Sequence, residues 1–438
     1  MKALLVILDG IADRSQRVLG DKTPLQAAQT PNLDSIARAG SCGIMYPVFP
    51  GASAGSDLAH WHLLGYGDLP FPGRPAIEAL GSDIQVKEGN VVVRLNLATT
   101  MIDSNERYVQ IAPAYLPAEQ AAEIAESLER YEPEKIQTRI CHIGGPFFLI
   151  ILPKEASTDI TDSDPLYFRL TVRNVQAFER SGKEAQATAF EINRFISWAG
   201  KVLEKHRVNR ARQEKGLTPI NYVLSKWASR VAYFPSFRDK WGFDALMIAR
   251  GVFYAGLARC LNMRFENADD FPEGAHIKGD LASPGEDLSL KMVRALKFLN
   301  ESGDFAIVHT KAPDEASHGG RPRIKARDCE EIDQAFLMLL ERLSKREDVI
   351  LVVTSDHATP SGGSEWIVHS GEPVPVMVAG PTARIDDVES FDEISCARGC
   401  LGQISGKDLM PLILNFTDRA RFLNSRNFPL IRPYRQTI

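Results

Sequence analysis

Seven residues with metal-binding side chains lie beside short apolar segments or tight turns of this 438-residue sequence: Asp9, Ser56, Asp314, His318, Asp356, His357 and His369. Three aspartates, three histidines and one serine hydroxyl suit a site in which two cations stabilise the attacking and leaving oxygens of a phosphoryl group. The set therefore predicts metal-dependent phosphoryl transfer, with Ser56 as the nucleophile.

Asp314 and His318 are four residues apart, so on a helix both side chains would project from one face and could hold a single ion. The same spacing also occurs by chance in surface pairs. Two neighbouring features favour metal binding: the apolar segment Phe305 to His309 comes just before the pair, and Lys311 could neutralise a phosphate oxygen. We therefore predict that Lys311 is a catalytic residue.

Asp9, Asp356 and His357 each follow an apolar segment of the sequence. Charged groups at the carboxyl end of a buried strand must be satisfied, and a cation would satisfy them. The structural alternatives are a turn for Asp9 and a helix N-cap for Asp356. His369 alone would suit an ordinary loop, and only the other candidates favour it as a ligand.

Ser56 lies among small residues at the start of an amphipathic stretch, where its hydroxyl would be accessible. Its structural alternative is an N-cap that accepts a hydrogen bond from a first-turn amide. A position at a helix N-terminus also favours a phosphorylated serine, because free amides and the helix dipole stabilise negative charge.

The composition is that of a globular protein, with 44% hydrophobic and 24% charged residues and a net charge of −5. The negative balance argues against nucleic acid as a partner, because proteins that bind phosphate backbones usually carry a basic face. No stretch is long and apolar enough to cross a membrane. Six cysteines without C-x-x-C spacing indicate reduced thiols, so we predict a cytoplasmic protein whose partner is a small molecule. No oligomeric state follows from the sequence.

Five apolar segments rich in β-branched residues are separated by helical stretches: Ala3 to Leu8, Ala245 to Ile248, Phe305 to His309, Val349 to Thr354 and Val374 to Val378. Such segments predict parallel strands that are buried on both faces, with ligands at their carboxyl ends. The middle section, about Ile77 to Phe237, contains none of the seven ligand candidates, and we predict a long helix in it from about Phe190 to His206. We predict a core of residues 1–76 and 238–438 and an inserted domain of residues 77–237, with proline-containing turns near both edges.

Short motifs occur in a defined order along almost the whole chain: Val6-Ile7-Leu8-Asp9-Gly10, Thr30-Pro31-Asn32-Leu33-Asp34, Gly55-Ser56-Asp57-Leu58-Ala59-His60, Asp314-Glu315-Ala316-Ser317-His318, Ser355-Asp356-His357-Ala358-Thr359-Pro360 and Ser395-Cys396-Ala397-Arg398-Gly399. This series resembles the archaeal-type cofactor-independent phosphoglycerate mutases, a family of the alkaline phosphatase superfamily. The resemblance implies an α/β fold: an alkaline-phosphatase-like, mostly parallel sheet flanked by helices, with an inserted, smaller α+β cap domain.

The resemblance also implies two divalent metal ions. One would be held by Asp314, His318 and His369, and the other by Asp9, Ser56, Asp356 and His357. Manganese is the expected metal, with magnesium, zinc and cobalt as alternatives. In this family the phosphate of the substrate moves to the serine and returns to the other hydroxyl of the acid, which interconverts 2- and 3-phosphoglycerate.

The inserted domain departs from the family pattern. Where the family has an arginine-rich stretch that binds phosphoglycerate, this chain has Tyr108 to Tyr115, which contains no arginine. Guanidinium groups are suited to carboxylates and phosphates, so their loss predicts altered substrate recognition. The remaining candidates for binding an anionic substrate are Arg74, Arg94, Arg210, Arg212 and Lys226.

Three functions therefore stay open at this point. The first is phosphoglycerate mutase activity through a phosphoserine at Ser56. The second is phosphatase, mutase, phosphoryl-transfer or phosphono-transfer activity on a different small acid in a biosynthetic pathway. The third is a non-catalytic binding homologue, against which the complete set of seven ligand candidates argues.

Overall fold

Apolar segments of the sequence form the strands of two sheets in the computed structural model, which describes residues 1–166, 170–270, 283–343, 348–362 and 368–421. The strands within these ranges are β1 Lys2–Leu8, β2 Gly40–Tyr46, β3 Val91–Asp103, β4 Glu106–Ile111, β5 Arg139–His142, β6 Phe147–Leu152, β7 Tyr222–Arg230, β8 Ala245–Ala249, β9 Arg264–Asn267, β10 Phe305–Thr310, β11 Val349–Thr354, β12 Val374–Ala379 and β13 Gly402–Ser405.

The helices within the same ranges are α1 Pro24–Ala27, α2 Pro31–Arg38, α3 Ser56–Leu63, α4 Arg74–Gly81, α5 Ala118–Leu128, α6 Lys183–Lys205, α7 Arg207–Glu214, α8 Phe237–Trp241, α9 Val252–Cys260, α10 Pro284–Glu301, α11 Ala312–His318, α12 Pro322–Leu343, α13 Glu393–Cys396 and α14 Leu409–Phe416. None of these helices is long and apolar enough to span a membrane.

The chain divides into two compact units. Unit 1 comprises Met1–Phe71 with Pro235–Ile438, and unit 2 comprises Pro72–Phe234. Both divisions lie a few residues before the predicted boundaries of the inserted domain. The first shift has a physical cause: α4 belongs to unit 2, because Ala76 donates to the Ser229 hydroxyl on β7 at 3.0 Å and α4 packs on the strands of that unit.

The sheet of unit 1 has eight strands in the order β13-β2-β12-β11-β1-β10-β8-β9. The central strand β1 pairs in parallel with both β10 and β11, and six of its seven residues are buried. Apolar residues throughout are the expected composition of a parallel strand that is covered on both faces. The predicted fold class, a mostly parallel α/β sheet with a smaller α+β insertion, is confirmed.

Strand β12 differs from the prediction, because it runs antiparallel to both of its neighbours, β11 and β2. An apolar composition indicates burial on both faces and carries no information about direction, so the segment Val374 to Val378 was wrongly predicted as parallel. The reversal has a consequence for the site. The residues that precede β12 lie at the same sheet edge as the residues that follow β11.

Unit 2 has a five-stranded antiparallel sheet in the order β4-β3-β6-β5, with β7 paired to the other edge of β3. Helices α5 and α6 supply residues to the core on this sheet, including Ile124, Ile192 and Phe195. Helix α6 begins at Lys183, seven residues before the predicted start. Its amphipathic pattern therefore extends further towards the N-terminus than the strongest apolar run indicated.

Lys325 of α12 is fully buried beneath the segments that follow β1 and β11. Its Nζ donates to the carbonyl of Ala12 at 3.0 Å, the carbonyl of Thr359 at 2.8 Å and the carboxylate of Asp13 at 3.0 Å. A buried ammonium requires such complete satisfaction, because an unpaired charge in the interior is costly. Lys325 therefore connects the segment after β1 and the segment after β11 to helix α12.

Lys325→Met should lower the free energy of unfolding of the protein by about 3 to 5 kcal/mol, because it leaves the buried Asp13 carboxylate without its cation. Urea denaturation followed by circular dichroism measures the change. Lys297→Met is the matched control, since that lysine is exposed on α10 and its loss should change stability by no more than about 0.5 kcal/mol. Equal effects of the two substitutions would contradict the role given to Lys325.

Candidate active site

The ligand candidates of unit 1 meet at one edge of the large sheet because of its topology. Asp9 follows β1, Asp356 follows β11, and α11 follows β10 after a single residue, Lys311. Since β1 pairs in parallel with both of the other strands, these three ends are neighbours. His369 joins them from the opposite chain direction, because it precedes the antiparallel strand β12.

Four of the candidates, which we call the Ser56 group, lie around the ring of His357: Asp9, Ser56, Asp356 and His357 itself. Nε2 of His357 lies 3.0 Å from Oγ of Ser56, 3.3 Å from Oδ1 of Asp9 and 3.4 Å from Oδ2 of Asp356. Adjacent ligands of an octahedral ion with bonds of about 2.1 Å are separated by roughly 3 Å. The three distances from His357 are therefore compatible with a single divalent cation.

The other three candidates, which we call the His318 group, are Asp314, His318 and His369. On α11, Nε2 of His318 is 3.3 Å from Oδ1 of Asp314, and Nε2 of His369 is 3.6 Å from the same oxygen. Two imidazoles and one carboxylate at these separations match the ligand set of many divalent metal sites. His369 also stacks on His357 with ring centroids 3.7 Å apart, so the two groups are adjacent.

Ser56 is the first residue of α3, and Gly55 is the N-cap of that helix. The structural alternative for Ser56, an N-cap serine bonded to a first-turn amide, is therefore wrong. Its side chain is directed instead to His357, and the residue is almost completely buried. A serine in this position presents its oxygen to the metal ligands and keeps the free amides of the helix start beside it.

The carboxylates of the site are short of positive charge. Oδ1 of Asp9 and Oδ2 of Asp356 are buried and accept no hydrogen bond from the residues that the structure describes. Burial, followed by the charges of Asp9 and Asp314, raises the pKa of Asp356 well above its usual value. Burial also opposes ionisation of Asp9, but Lys311 and the neighbouring histidines outweigh it and hold the pKa of Asp9 well below its usual value. Buried oxygen and imidazole donors that lack partners fit a divalent metal ion.

Lys311 connects the two groups. Its Nζ is 3.4 Å from Oδ2 of Asp9 and 3.3 Å from Oδ2 of Asp314, and the charge of Asp9 raises the pKa of the lysine further above its usual value. About half of the side chain is exposed. The ammonium is therefore permanently charged and can reach an anion that binds at either group.

Two further histidines at this edge were missed in the sequence analysis. Nδ1 of His60 lies 2.7 Å from the Ser56 carbonyl and 3.6 Å from Oδ2 of Asp356, and Nε2 of His309 lies 3.1 Å from Oδ2 of Asp9. Burial lowers the pKa of both rings, that of His60 to about 3. With Asp356 they form a third set of potential metal ligands. The available signals were the four-residue spacing of Ser56 and His60 and the position of His309 near the end of β10.

Three of the candidate substrate-binding residues lie together in unit 2: Arg74, Arg94 and Lys226. Arg94 donates to Glu78, and Nε of Arg74 is 2.8 Å from Oε1 of the same glutamate. Lys226 pairs with Asp164 at 3.1 Å. Carboxylates therefore offset part of the positive charge of this cluster.

Arg210 and Arg212 lie on a different element, α7. Arg210 is exposed, whereas Nε of Arg212 donates to the Thr218 carbonyl at 3.0 Å. The sequence alone could not separate these two residues from the others, because grouping of cations in unit 2 depends on the pairing of β3 with β7.

Comparison with known proteins agrees with this geometry. The family model of the metalloenzyme superfamily matches residues 1–416. Among curated relatives, 2,3-bisphosphoglycerate-independent phosphoglycerate mutase 2 of Methanocaldococcus jannaschii is 36% identical, over 99% of this chain and 97% of the relative. The 2,3-bisphosphoglycerate-independent phosphoglycerate mutase of Methanopyrus kandleri is 35% identical, over 95% of this chain and 97% of the relative.

Two solved structures share the fold. A protein of Pyrococcus horikoshii has a TM-score of 0.77 at 26% identity, with 97% of this chain and 99% of that chain covered. The cofactor-independent phosphoglycerate mutase of Thermoplasma acidophilum has a TM-score of 0.62 at 27% identity, with 95% and 100% covered.

The sheet, the two ligand groups and the family match define a divalent-metal enzyme of the metalloenzyme superfamily. Within it, the chain belongs to the archaeal-type cofactor-independent phosphoglycerate mutase family, as its motifs predicted.

On the expectation that each group holds one divalent ion, Asp356→Asn should lose the ion of the Ser56 group and His318→Ala that of the His318 group, because each substitution removes one candidate ligand. Each variant should then retain about half of the wild-type metal content at saturating divalent metal, and both should lose phosphoryl-transfer turnover. Mass-spectrometric metal analysis of the purified proteins checks this. His142→Ala is the control, since that histidine lies on β5 of unit 2. Wild-type metal content in both variants would show that Asp356 and His318 are not metal ligands.

Proposed function

We propose that this protein interconverts 2- and 3-phosphoglycerate through a phosphoserine at Ser56, with two divalent ions, most suitably manganese. The observation that carries the proposal is the position of the Ser56 hydroxyl. It lies at the start of α3, 3.0 Å from His357, in a group whose distances from His357 are compatible with one cation. The 30–36% identity to archaeal mutases over nearly the whole chain supports the reaction.

In the first step, Oγ of Ser56 attacks phosphorus, the bond from phosphorus to the substrate oxygen breaks, and the proton of the serine passes, in net terms, to that oxygen. In the second step, the other hydroxyl of the acid attacks the phosphoserine and Ser56 regains a proton. Divalent ions, when bound, supply Lewis acidity that lowers the pKa of the serine hydroxyl and stabilises charge on the phosphate oxygens. Magnesium, zinc and cobalt suit the same donors.

The chain itself contributes three features to these steps. The amides at the start of α3 favour the phosphorylated form of Ser56. The Lys311 ammonium adds positive charge between the two ligand groups, where it can neutralise a phosphate oxygen. His60 donates from Nδ1 to the Ser56 carbonyl, which holds the first turn of α3 in place.

For recognition of the acid, we propose the cluster of Arg74, Arg94 and Lys226 in unit 2. Its guanidinium and ammonium groups are suited to a carboxylate. Arg94 is the central member, because its guanidinium is buried, pairs with Glu78 and stands 4.2 Å above the ring of Phe147. We retain Arg210 and Arg212 as secondary candidates, since both are cationic residues of the same unit.

The pairing of these cations also favours a second candidate function. Glu78 and Asp164 already occupy part of the hydrogen-bonding capacity of the cluster, so fewer guanidinium groups are available for an acid than in an arginine-rich site. A different small phosphorylated or phosphono acid is therefore the alternative substrate. The cysteines, all six of which are free, support the proposed cytoplasmic location.

Ser56→Ala should reduce turnover by on the order of 10³-fold or more while the protein stays folded, because it removes the phosphoryl acceptor. It should also abolish incorporation of phosphate from labelled 3-phosphoglycerate into the protein. Ser181→Ala is the control, since its hydroxyl bonds only to the nearby Phe178 carbonyl among the described contacts. Near wild-type turnover by Ser56→Ala would contradict a covalent mechanism.

Arg94→Lys should raise the KM for 3-phosphoglycerate roughly 30-fold, because loss of a buried charged contact costs about 2 kcal/mol or more. The specificity constant, kcat/KM, should be measured for 3-phosphoglycerate, phosphohomoserine and small phosphonates with the wild-type protein and both variants. Arg230→Lys is the control, because that arginine of β7 binds only main-chain carbonyls among the described residues and should leave KM unchanged. A higher specificity constant for another acid would favour the second candidate function.

A further inference from the structure

Thr359 lies between the two ligand groups. It is fully buried in the segment after β11, three residues beyond Asp356. Its Oγ1 is 3.0 Å from Nδ1 of His357, a member of the Ser56 group, and 2.9 Å from Oδ1 of Asp314, a member of the His318 group. We propose that Thr359 is a positioning residue that couples the two metal sites, an inference that rests on the two-ion site proposed above.

The two hydrogen bonds have a defined direction. The carboxylate of Asp314 can only accept, so the Thr359 hydroxyl donates to it, and the lone pairs of Oγ1 are left to accept from His357. His357 must therefore carry its proton on Nδ1. Its Nε2 then presents a lone pair towards Asp9, Ser56 and Asp356, which is the tautomer that a ligand of an ion requires.

The position of the hydroxyl is fixed from several sides. The amide of Thr359 donates to the Ala12 carbonyl at 3.0 Å, and Lys325 donates to the carbonyls of both residues. The preceding residue, Ala358, bridges to Ile11 and to Ser370. The segments that carry Asp9, His357 and His369 are thereby joined at this point.

Gly10 leaves the room that this arrangement needs. A Cβ at Gly10 would lie 2.6 Å from Oγ1 of Thr359 and 2.9 Å from Cβ of Asp314, and the backbone there has φ +62°. Any other side chain at this position would push the threonine and the aspartate apart. A glycine at position 10 therefore leaves space for the hydrogen bond between Thr359 and Asp314.

The coupling follows from the single proton of the hydroxyl. An ion that fixes Asp314 also fixes the orientation of the hydroxyl, which in turn orients the ring of His357 for the second ion. Because the first ion has already ordered the Thr359 hydroxyl and the His357 ring, the second ion does not lose binding free energy in ordering them. Binding of one ion therefore strengthens binding of the other. Groups that orient a metal ligand from behind typically change metal affinity 10- to 100-fold.

The test is a calorimetric Mn²⁺ titration of metal-free wild type, Thr359→Val and Thr359→Ser. Valine keeps the shape and removes both hydrogen bonds, whereas serine retains the hydroxyl. Wild type should bind two ions. Binding of the first ion should increase the affinity for the second at least about 5-fold over the value expected for two independent sites. Thr359→Val should bind both ions about 10- to 100-fold more weakly than wild type and without coupling between them. Thr359→Ser should bind both ions with affinities within about 3-fold of those of wild type.

Thr417→Val is the matched control, because Thr417 is also buried and its hydroxyl bonds to the Ile413 and Leu414 carbonyls at the end of α14. It should bind Mn²⁺ as wild type does. A second measurement is the ¹⁵N NMR spectrum of the histidines in the metal-free protein. His357 should be the Nδ1–H tautomer in wild type and Thr359→Ser, and a mixture in Thr359→Val, independently of any activity.

The outcomes separate this inference from the proposed function. Fewer than two ions in wild type would overturn the two-ion site itself. Two ions in wild type with unchanged affinities, coupling and tautomer in Thr359→Val would overturn the role of Thr359 and leave the two-ion site intact. Weakening of only one ion in Thr359→Val would likewise overturn the coupling.

Discussion

Three carboxylates meet in the interior of unit 1, and their mutual repulsion constrains every residue around them. Asp9, Asp314 and Asp356 are each about 1% exposed or less. Like charges at such depth are unfavourable unless cations compensate them. Within the chain, the Lys311 ammonium supplies part of this compensation through Asp9 and Asp314. The divalent ions that we propose would supply the rest, so metal binding and folding of this sheet edge are two aspects of one energetic requirement.

The convergence of the ligand candidates at one edge follows from the sequence. Asp9, Asp356 and the helix that carries Asp314 each come directly after an apolar segment, and parallel strands present such ends side by side. The spacing of Asp314 and His318 likewise required only that the segment be helical, as α11 is. Strong local patterns were sufficient for these features because each depends on short-range chain geometry.

Other features depend on contacts between distant segments, which no local pattern encodes. The direction of β12 is one, because an apolar strand has the same composition in either orientation. His60, His309 and Thr359 are others, since a buried histidine or threonine resembles an ordinary polar core residue. Only the tertiary contacts show that these side chains lie behind the ligands, for example Thr359 between His357 and Asp314.

All seven ligand candidates belong to unit 1, whereas the cations proposed to select the acid belong to unit 2, which is inserted between Phe71 and Pro235. Substitutions that accumulate in the insertion therefore leave the spacing of the ligands unchanged. Over evolutionary time, such a chain can exchange the molecule that it selects while inheriting its reaction chemistry. After gene duplication, drift confined to one unit would be enough to produce a paralogue with a new place in metabolism.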